Sequence, residues 1–232
     1  MGFENWCILG RDGKFYITNE YKLSNNYSLV IEPLSVLGLA RCESTWVKHR
    51  DFRISFWFSL KFREDKGEPK EDCPDLIGFW VLNRFGVTYY HYVWSNMYFS
   101  IIDGNLHFDV GELGYYEMDV KCDTLNKDEL LGQCPNYNNN TWGFVWFDVC
   151  NPEPHIITVE GYIVPCVENP NVNNPPYDKG IRVIRCVGKS MYDEFIENMG
   201  YGIGLHFENW TYAEYKANLI IDYIQIQTYE YV

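Results

Sequence analysis

The clearest pattern in the chain is the alternation of large hydrophobic and mostly polar residues from residue 51 to residue 62. Side chains of a β-strand point alternately to opposite faces, so this segment predicts one long strand with an apolar face. The apolar positions are Phe52, Ile54, Phe56, Phe58, Leu60 and Phe62. Such a face needs a second layer, which in an all-β chain is another sheet. Trp57 stands alone as a large hydrophobic residue on the opposite, polar face.

Further alternating or aromatic segments predict strands along most of the chain. They cover residues 15–18, 27–31, 76–81, 86–92, 97–102, 106–110, 115–121, 142–149, 156–164, 181–187, 202–207 and 219–228. Asp103-Gly104 predicts a tight hairpin turn, because both positions of that turn take positive φ. One short helix is predicted at 191–199, with Ser190 as its N-cap and Gly200 at its exit. We therefore expect an all-β, two-sheet antiparallel sandwich with one short helix, folded as a single domain over residues 1–232.

Composition narrows the classes of partner. The chain has 232 residues, of which 47% are hydrophobic and 18% aromatic, and its formal net charge is −13. Nucleic acid binds to basic stripes, and anionic lipid attracts basic segments, so both partners are disfavoured. No apolar run is long enough to span a bilayer. We expect no nucleic-acid partner and no membrane insertion.

The cysteines predict disulfide bonds. Eight of them are scattered along the chain without a CxxC pair, which disfavours zinc and redox sites. Their even number fits disulfides in an oxidising compartment, whereas the alternative is a reduced chain with cysteines as small core residues. We predict the pairs Cys122–Cys134 and Cys150–Cys166, because each closes a turn-rich excursion between strands.

Other features are compatible with export. Three sequons, at Asn26, Asn139 and Asn209, predict N-glycosylation sites. The amino terminus lacks the basic and apolar regions of a signal peptide. We therefore expect either a signal that has been removed or export without one, as for a virion component.

Several segments carry a family resemblance. The opening F-E-N-W with N-N-Y-S-L-V-I is similar to the first strands of jelly-roll carbohydrate-binding modules. F-R-I-S-F-W-F-S-L-K-F resembles a strand of laminin-G-like domains, and W-G-F-V-W-F-D-V with I-I-T-V-E-G-Y resembles their paired strands. The last strand-like segment, L-I-I-D-Y-I-Q-I, is similar to the final strands of laminin-G-like domains and of family 16 glucanases. The chain thus resembles the concanavalin A-like lectin/glucanase superfamily, which implies an antiparallel jelly roll whose concave sheet forms a groove.

The resemblance to glucanases does not extend to a complete catalytic motif. Those enzymes carry E-x-D-x-E on a concave strand, and the nearest match here ends in lysine, as Glu117-Met118-Asp119-Val120-Lys121. Glu117 and Asp119 fit the nucleophile and its helper, but retaining hydrolysis needs a second carboxyl where Lys121 stands. A solvated face with a carboxylate–lysine pairing is the simpler interpretation. We expect a protein without catalytic activity, and the alternative is that Glu112, Glu194 or Glu197 supplies the second carboxyl in an unrelated arrangement.

Aromatic placement predicts where a glycan binds, since sugar rings stack on Trp and Tyr. The candidate ligand-binding residues are Trp57, Arg53, Trp80, Tyr90 and Tyr92, on neighbouring predicted strands. We expect the Trp57 face to bind the ligand, because an isolated Trp among polar residues would otherwise expose its ring to water. The alternatives are that these rings fill the core, or that a loop or a neighbouring subunit covers Trp57.

Asp222 is a candidate metal ligand. It shares strand parity with Ile220, Ile224 and Ile226, so in a regular strand it would point inward. A buried carboxylate is costly unless it is paired or metal-bound. We expect backbone N–H groups, an arginine such as Arg53 or a structural Ca²⁺ to hold it, or a bulge to redirect it. No other cofactor is expected.

Together these features predict an extracellular, cell-surface or virion domain that binds a glycan or cell-surface polysaccharide. Two alternatives follow from the same fold. One is a self-assembling structural subunit of a virion, filament or surface layer, and the other is a divergent glycoside hydrolase or lyase.

Overall fold

The computed structural model describes residues 6–24, 27–41, 51–65, 75–84, 92–114, 118–153, 155–190 and 202–229. The fifteen strands of these residues are β1 (Trp6–Asp12), β2 (Phe15–Thr18), β3 (Ser28–Ile31), β4 (Ser35–Arg41), β5 (Phe52–Phe62), β6 (Asp75–Arg84), β7 (Tyr92–Ile102), β8 (Asn105–Gly114), β9 (Met118–Thr124), β10 (Leu130–Gln133), β11 (Thr141–Glu153), β12 (Ile156–Glu168), β13 (Ile181–Ser190), β14 (Gly202–Asn209) and β15 (Ala217–Thr228). Short 3-10 helices lie at Tyr137–Asn139 and Tyr177–Lys179. The helix predicted at 191–199 lies outside the described residues.

The strands form two sheets. The seven-stranded sheet has the order β1-β4-β14-β6-β7-β8-β10, and the eight-stranded sheet has the order β2-β3-β15-β5-β11-β12-β13-β9. Neighbouring strands run antiparallel, and distant parts of the chain pair directly, as β4 does with β14 and β5 with β15. The predicted all-β, two-sheet antiparallel sandwich is confirmed.

The long alternating segment forms β5 in the middle of the eight-stranded sheet, between β15 and β11. Its apolar face behaves as predicted: the first five of its six apolar side chains have no exposed surface, and Phe62 packs partly buried against them. The ring of Phe56 lies 5.2 Å from those of Phe79 and Phe207, on the opposite sheet. These edge-on contacts join the two sheets through one aromatic core.

Two hairpins also match the sequence prediction. β7 and β8 are joined at Asp103-Gly104, whose φ angles of 49° and 73° are those expected of a tight turn. β11 and β12 pair along most of their length, from Thr141 opposite Glu168 to Glu153 opposite Ile156. Within the described residues, no helix is long and apolar enough to cross a membrane.

The predicted disulfide pairs are wrong. Cys122 is bonded to Cys186, its register partner across β9 and β13, with the two Cα atoms 4.1 Å apart. Cys134 follows β10 in the other sheet and is a buried free thiol. Cys150 lies opposite Thr158 of β12, and Thr158 is eight residues from Cys166 along that strand. Cys150 and Cys166 are therefore about 26 Å apart along the strand direction. Both of these cysteines are free as well. Cys7 is disulfide-bonded.

Candidate functional site

Trp57 lies on the outer face of the eight-stranded sheet, as alternation predicted, but it is completely buried. The chain segments that precede β3, β11 and β13 contribute Tyr21, Tyr137 and Tyr177 to a second apolar cluster around it. The Tyr177 ring lies 5.2 Å from that of Phe144, which in turn lies 4.8 Å from that of Trp57. Loops therefore cover Trp57, which was one of the alternatives, and its ring offers no open surface for a sugar.

The basic side chains on the same face are already engaged. Arg53 binds Asp148 through two hydrogen bonds, of 2.6 and 2.7 Å, and its guanidinium lies 4.5 Å from the centre of the Tyr177 ring. Lys61 donates to the Tyr21 hydroxyl and lies over the Tyr21 ring, and that hydrogen bond raises the pKa of Lys61. Bidentate and cation–π contacts of this kind hold loops in place. Both cations therefore already have partners within the chain.

Asp222 holds the segment over Trp57. Its carboxylate accepts backbone N–H groups of Leu23, Ser24 and Tyr223, and the hydroxyls of Ser24 and Ser28. Backbone N–H groups were one of the expected partners. The inward orientation is wrong, because Asp222 pairs with Trp57 on the outer face. A register shift follows Asp222, where Tyr223 has a φ of 49°. Because of this shift, the side chain of Ile224 points into the core.

The outer face of the seven-stranded sheet carries a different set of side chains. β14, β6 and β7 lie side by side, and their register places His206 beside Trp80, and Glu208 beside Gly78 and Tyr98. These residues alternate with the core residues of the same strands, so they point away from the sandwich. We call this set the aromatic face: Trp80, Trp94, Tyr98, His206 and Glu208.

Trp80 is the centre of the aromatic face. Its ring stacks on the His206 imidazole at 5.2 Å and lies 5.0 Å from the ring of Trp94. Its indole N–H donates to the Tyr98 hydroxyl at 3.1 Å. All four rings are partly exposed. Partly exposed aromatic rings that are grouped on an outer face are typical of a binding surface, because rings that fill a core are covered by other side chains.

Glu208 supplies the charge of the aromatic face. Its side chain is almost fully buried, and one carboxylate oxygen accepts from the Tyr98 hydroxyl at 2.8 Å and from the Trp210 indole at 2.6 Å. The other oxygen lies 3.6 Å from His206 Nε2. Burial and the bond to Glu208 raise the pKa of Tyr98, so the phenol keeps its proton. Burial lowers the pKa of His206, against the opposing effect of Glu208.

Two glycines make room for the large rings. A Cβ at Gly78 would lie 2.5 Å from a ring carbon of Tyr98, and one at Gly114 would lie 2.1 Å from the Trp94 ring. Both distances are far below van der Waals contact. Tyr98 and Trp94 therefore lie flat against the backbone of neighbouring strands, which fixes the position of their rings.

Among the predicted ligand residues whose side chains the structure describes, only Trp80 belongs to the aromatic face. Tyr90 lies outside the described residues, and Tyr92 is placed only by its backbone pairing with Arg84. Sequence reasoning missed the contributions of Tyr98, His206 and Glu208. A signal was present in β14, where Ile203, Leu205 and Phe207 alternate with Gly204, His206 and Glu208, but the pairing of β14 with β6 was not predictable.

The other predicted sites lie elsewhere. Asp119 is exposed on β9 at the edge of the eight-stranded sheet, away from the aromatic face, and Glu117 lies outside the described residues. Among the described residues, no group of three potential metal ligands occurs around Asp222 or anywhere else.

The sequons have different environments. Asn209 has no exposed surface, its amide donates to Ile31 O and Ala217 O, and its carbonyl accepts from Thr211. A glycan cannot be attached to an amide in this position, so the predicted glycosylation of Asn209 is wrong. Asn139 is exposed beside a polar cavity of about 290 Å³ and stays a predicted glycosylation site. Asn26 lies outside the described residues.

No protein-family model and no curated protein matches the sequence. Among solved structures, the chain is similar to the metal-free lectin I-B4 from Griffonia simplicifolia, with TM-score 0.41, 10% identity and coverage of 96% of this chain and 92% of that one. It is similar to the marine PL-14 alginate lyase from Aplysia kurodai, with TM-score 0.48, 11% identity and coverage of 92% and 90%. It is also similar to the exoplasmic/lumenal domain of VIP36, bound to Ca²⁺ and Man3GlcNAc, with TM-score 0.43, 10% identity and coverage of 100% of this chain and 87% of that one.

The two-sheet antiparallel sandwich is the architecture that the sequence resemblance implied. Identities near a tenth and TM-scores below 0.5 carry no argument about function. The architecture is established by the two sheets themselves, and the function has to be argued from the aromatic face.

Proposed function

We propose that this chain is a glycan-binding, lectin-like domain whose ligand lies on the aromatic face. The observation that supports this most directly is the row formed by Trp80, Trp94 and Tyr98, partly exposed beside the carboxylate of Glu208. Aromatic faces stack on the C–H surfaces of sugars, and the buried Glu208 carboxylate holds Tyr98 and Trp210 in place beside them. Three large rings in the cluster around Trp57, those of Trp142, Phe144 and Trp146, are by contrast buried.

The hydrogen bonds within the face prepare it for a ligand. Tyr98 is held between Trp80 and Glu208, so its ring and hydroxyl are fixed before binding. Side chains that are already ordered lose little conformational entropy when a ligand binds. Glu208 is fixed in the same way by Tyr98 and Trp210.

Substitution of Trp94 tests the proposal. Removal of one stacking platform should weaken binding of the best ligand on a glycan array by about 5- to 150-fold, by analogy with aromatic stacking on other ring ligands. Trp94→Ala is the test variant, and Tyr27→Ala is its control, because Tyr27 is an exposed aromatic residue beside β3. Unchanged binding in Trp94→Ala, or equal losses in both variants, would contradict the proposed site.

Polysaccharide cleavage is a second candidate, favoured by one observation. His206 stacks on Trp80 within the aromatic face, and burial lowers its pKa, so the neutral imidazole is suited to accept a proton. Incubation with neutral and uronic-acid polysaccharides should then release new reducing ends, and His206→Gln should abolish the release. Binding of a polysaccharide without release of reducing ends would contradict cleavage and would support the lectin-like function.

We further propose that residues 1–232 form one domain and that it functions outside the reducing cytosol, at a cell or virion surface. The Cys122–Cys186 bond supports this location, because structural disulfides persist in oxidising compartments. Mass spectrometry of protein from its native source, alkylated before reduction, should find this bond intact.

A further inference from the structure

Two free thiols lie at the same end of the sandwich, where the chain passes from one sheet to the other. Cys134 follows β10 of the seven-stranded sheet, and its N–H donates to Gly104 O in the turn between β7 and β8. The next residue, Pro135, accepts from the N–H of Leu60 in β5 of the eight-stranded sheet. Cys134 therefore lies between the two sheets, and its side chain is buried in the core that they share.

Cys166 enters the same space from β12. Val164 and Val167 both belong to the second apolar cluster, on the outer face of the eight-stranded sheet. They are three positions apart, so the alternation of side chains slips by one residue between them, where the register with β11 shifts. Both intervening residues, Pro165 and Cys166, therefore point inward. Pro165 does so against β10, since a Cβ at Gly132 would lie 3.0 Å from its Cγ.

Further contacts hold the two segments together. The Thr141 hydroxyl accepts from the N–H of Asn136 at 2.7 Å and donates to Asn136 O at 3.1 Å, two residues after Cys134. The same side chain lies beside Cys166: burial raises the pKa of that thiol, and Thr141 lowers it. Gln133 and Cys166 also line the same polar cavity, of about 290 Å³. The two thiols are therefore neighbours across the gap between the sheets.

The two thiols differ in access from solvent. Cys166 is half-buried and lines the cavity, whereas Cys134 is 3% exposed. Burial raises the pKa of Cys134 to about 12, and the nearby Cys166 thiol adds to the rise. Exchange with a disulfide requires a thiolate that the reagent can reach, so Cys166 should react first.

We propose that Cys134 and Cys166 form a disulfide that joins the two sheets, by exchange with a small-molecule disulfide such as oxidised glutathione. The Cys166 thiolate attacks one sulfur of the reagent, which gives a mixed disulfide and releases one molecule of the small thiol. Cys134 then loses its proton and attacks Cys166 Sγ, which forms the protein disulfide and releases the second small thiol. The two protein thiols are oxidised, and the reagent is reduced to two thiols.

Mapping of the cysteines after oxidation tests the proposed bond. The purified full chain is equilibrated with oxidised glutathione, unfolded in the presence of an alkylating reagent and cleaved after Glu160, which places Cys134 and Cys166 in separate peptides. Mass spectrometry of the wild-type chain and of Cys150→Ser should find these peptides linked. Cys150→Ser is the matched control, because Cys150 is a free thiol about 26 Å along the strand direction from Cys166.

Two outcomes of the mapping would overturn the proposal. One is alkylation of both Cys134 and Cys166 in the wild-type chain. The other is glutathione retained on Cys166 in the wild-type chain, since the second exchange should remove it. Cys134→Ser should retain glutathione on Cys166, because the attacking thiol is then absent.

Thermal unfolding tests whether the bond stabilises the contact between the sheets. A disulfide that closes a loop of about 32 residues should raise the melting temperature of a chain of this size by about 4–16 °C. Oxidation should give this rise in the wild-type chain and in Cys150→Ser, and none in Cys134→Ser. The Cys122–Cys186 bond is common to all three chains and does not contribute to the difference. Equal shifts in the wild-type chain and Cys134→Ser would overturn the proposed link.

Discussion

Asn in place of Asp222 tests how the segment over Trp57 is held. The carboxylate accepts five hydrogen bonds, three on one oxygen and two on the other. The Asn amide keeps most partners if its oxygen replaces the one that binds Leu23, Ser24 and Ser28. Its NH₂ then faces the N–H of Tyr223, which donated to the second oxygen at 2.6 Å and cannot accept.

The magnitude follows from these contacts. One unpaired backbone N–H costs about 1–3 kcal/mol, and loss of the negative charge weakens the remaining bonds, so we expect a total of about 2–4 kcal/mol. For a chain of this size, that corresponds to a decrease in melting temperature of about 4–16 °C. Equilibrium unfolding in urea measures the free energy directly, with an unchanged m-value expected.

Asp119→Asn is the matched control, because Asp119 is an exposed aspartate on β9. Its effect should stay within about 0.5 kcal/mol. A chelator should not change the stability of the wild-type chain, since N–H and O–H donors surround both oxygens of Asp222. Equal stability of Asp222→Asn and wild type, or a loss of wild-type stability with chelator, would refute this account of the carboxylate.

Three further predictions concern stability. Phe56→Ala should cost about 3–5 kcal/mol in urea unfolding, because its fully buried ring joins the two sheets; a cost below 1 kcal/mol would contradict this role. Cys122→Ser should cost about 2–4 kcal/mol by removing the bond to Cys186, whereas Cys150→Ser, at a free thiol, should be near neutral. Because burial lowers the pKa of His206 in the folded state, stability should be complete above the ordinary value of 6.5 and should fall as the pH decreases through it. His206→Gln should remove that part of the pH dependence in melting curves, and an unchanged pH profile would show that His206 does not cause it.

Several elements could be read from local sequence because one short-range rule decides each of them. The period of two in β5 placed the apolar side chains in the core, and Asp103-Gly104 set the hairpin between β7 and β8. The same rule placed Trp57 on the outer face. It could not show that distant segments of the chain cover this face. A signal of that burial was present in β11, where Trp142, Phe144 and Trp146 make the outer face apolar as well.

The candidate site required pairings that local sequence does not contain. Trp80 could be selected as an aromatic residue on a predicted strand, but its neighbour His206 is 126 positions away and arrives only through the pairing of β6 with β14. The buried Asn209 illustrates the same limit, because its sequon is a local pattern and its burial is a property of the assembled core.

The sequence by itself therefore determined the two faces of β5, the tight turn at Asp103 and the two-sheet class of the fold. Each depends on side-chain alternation or backbone conformation over a few residues. The tertiary structure alone decided that Cys122 meets Cys186 and that loops cover Trp57. It also brought Trp80, Tyr98 and Glu208 together, because strand order depends on the burial of whole sheet faces and many sequence positions satisfy the same local pattern.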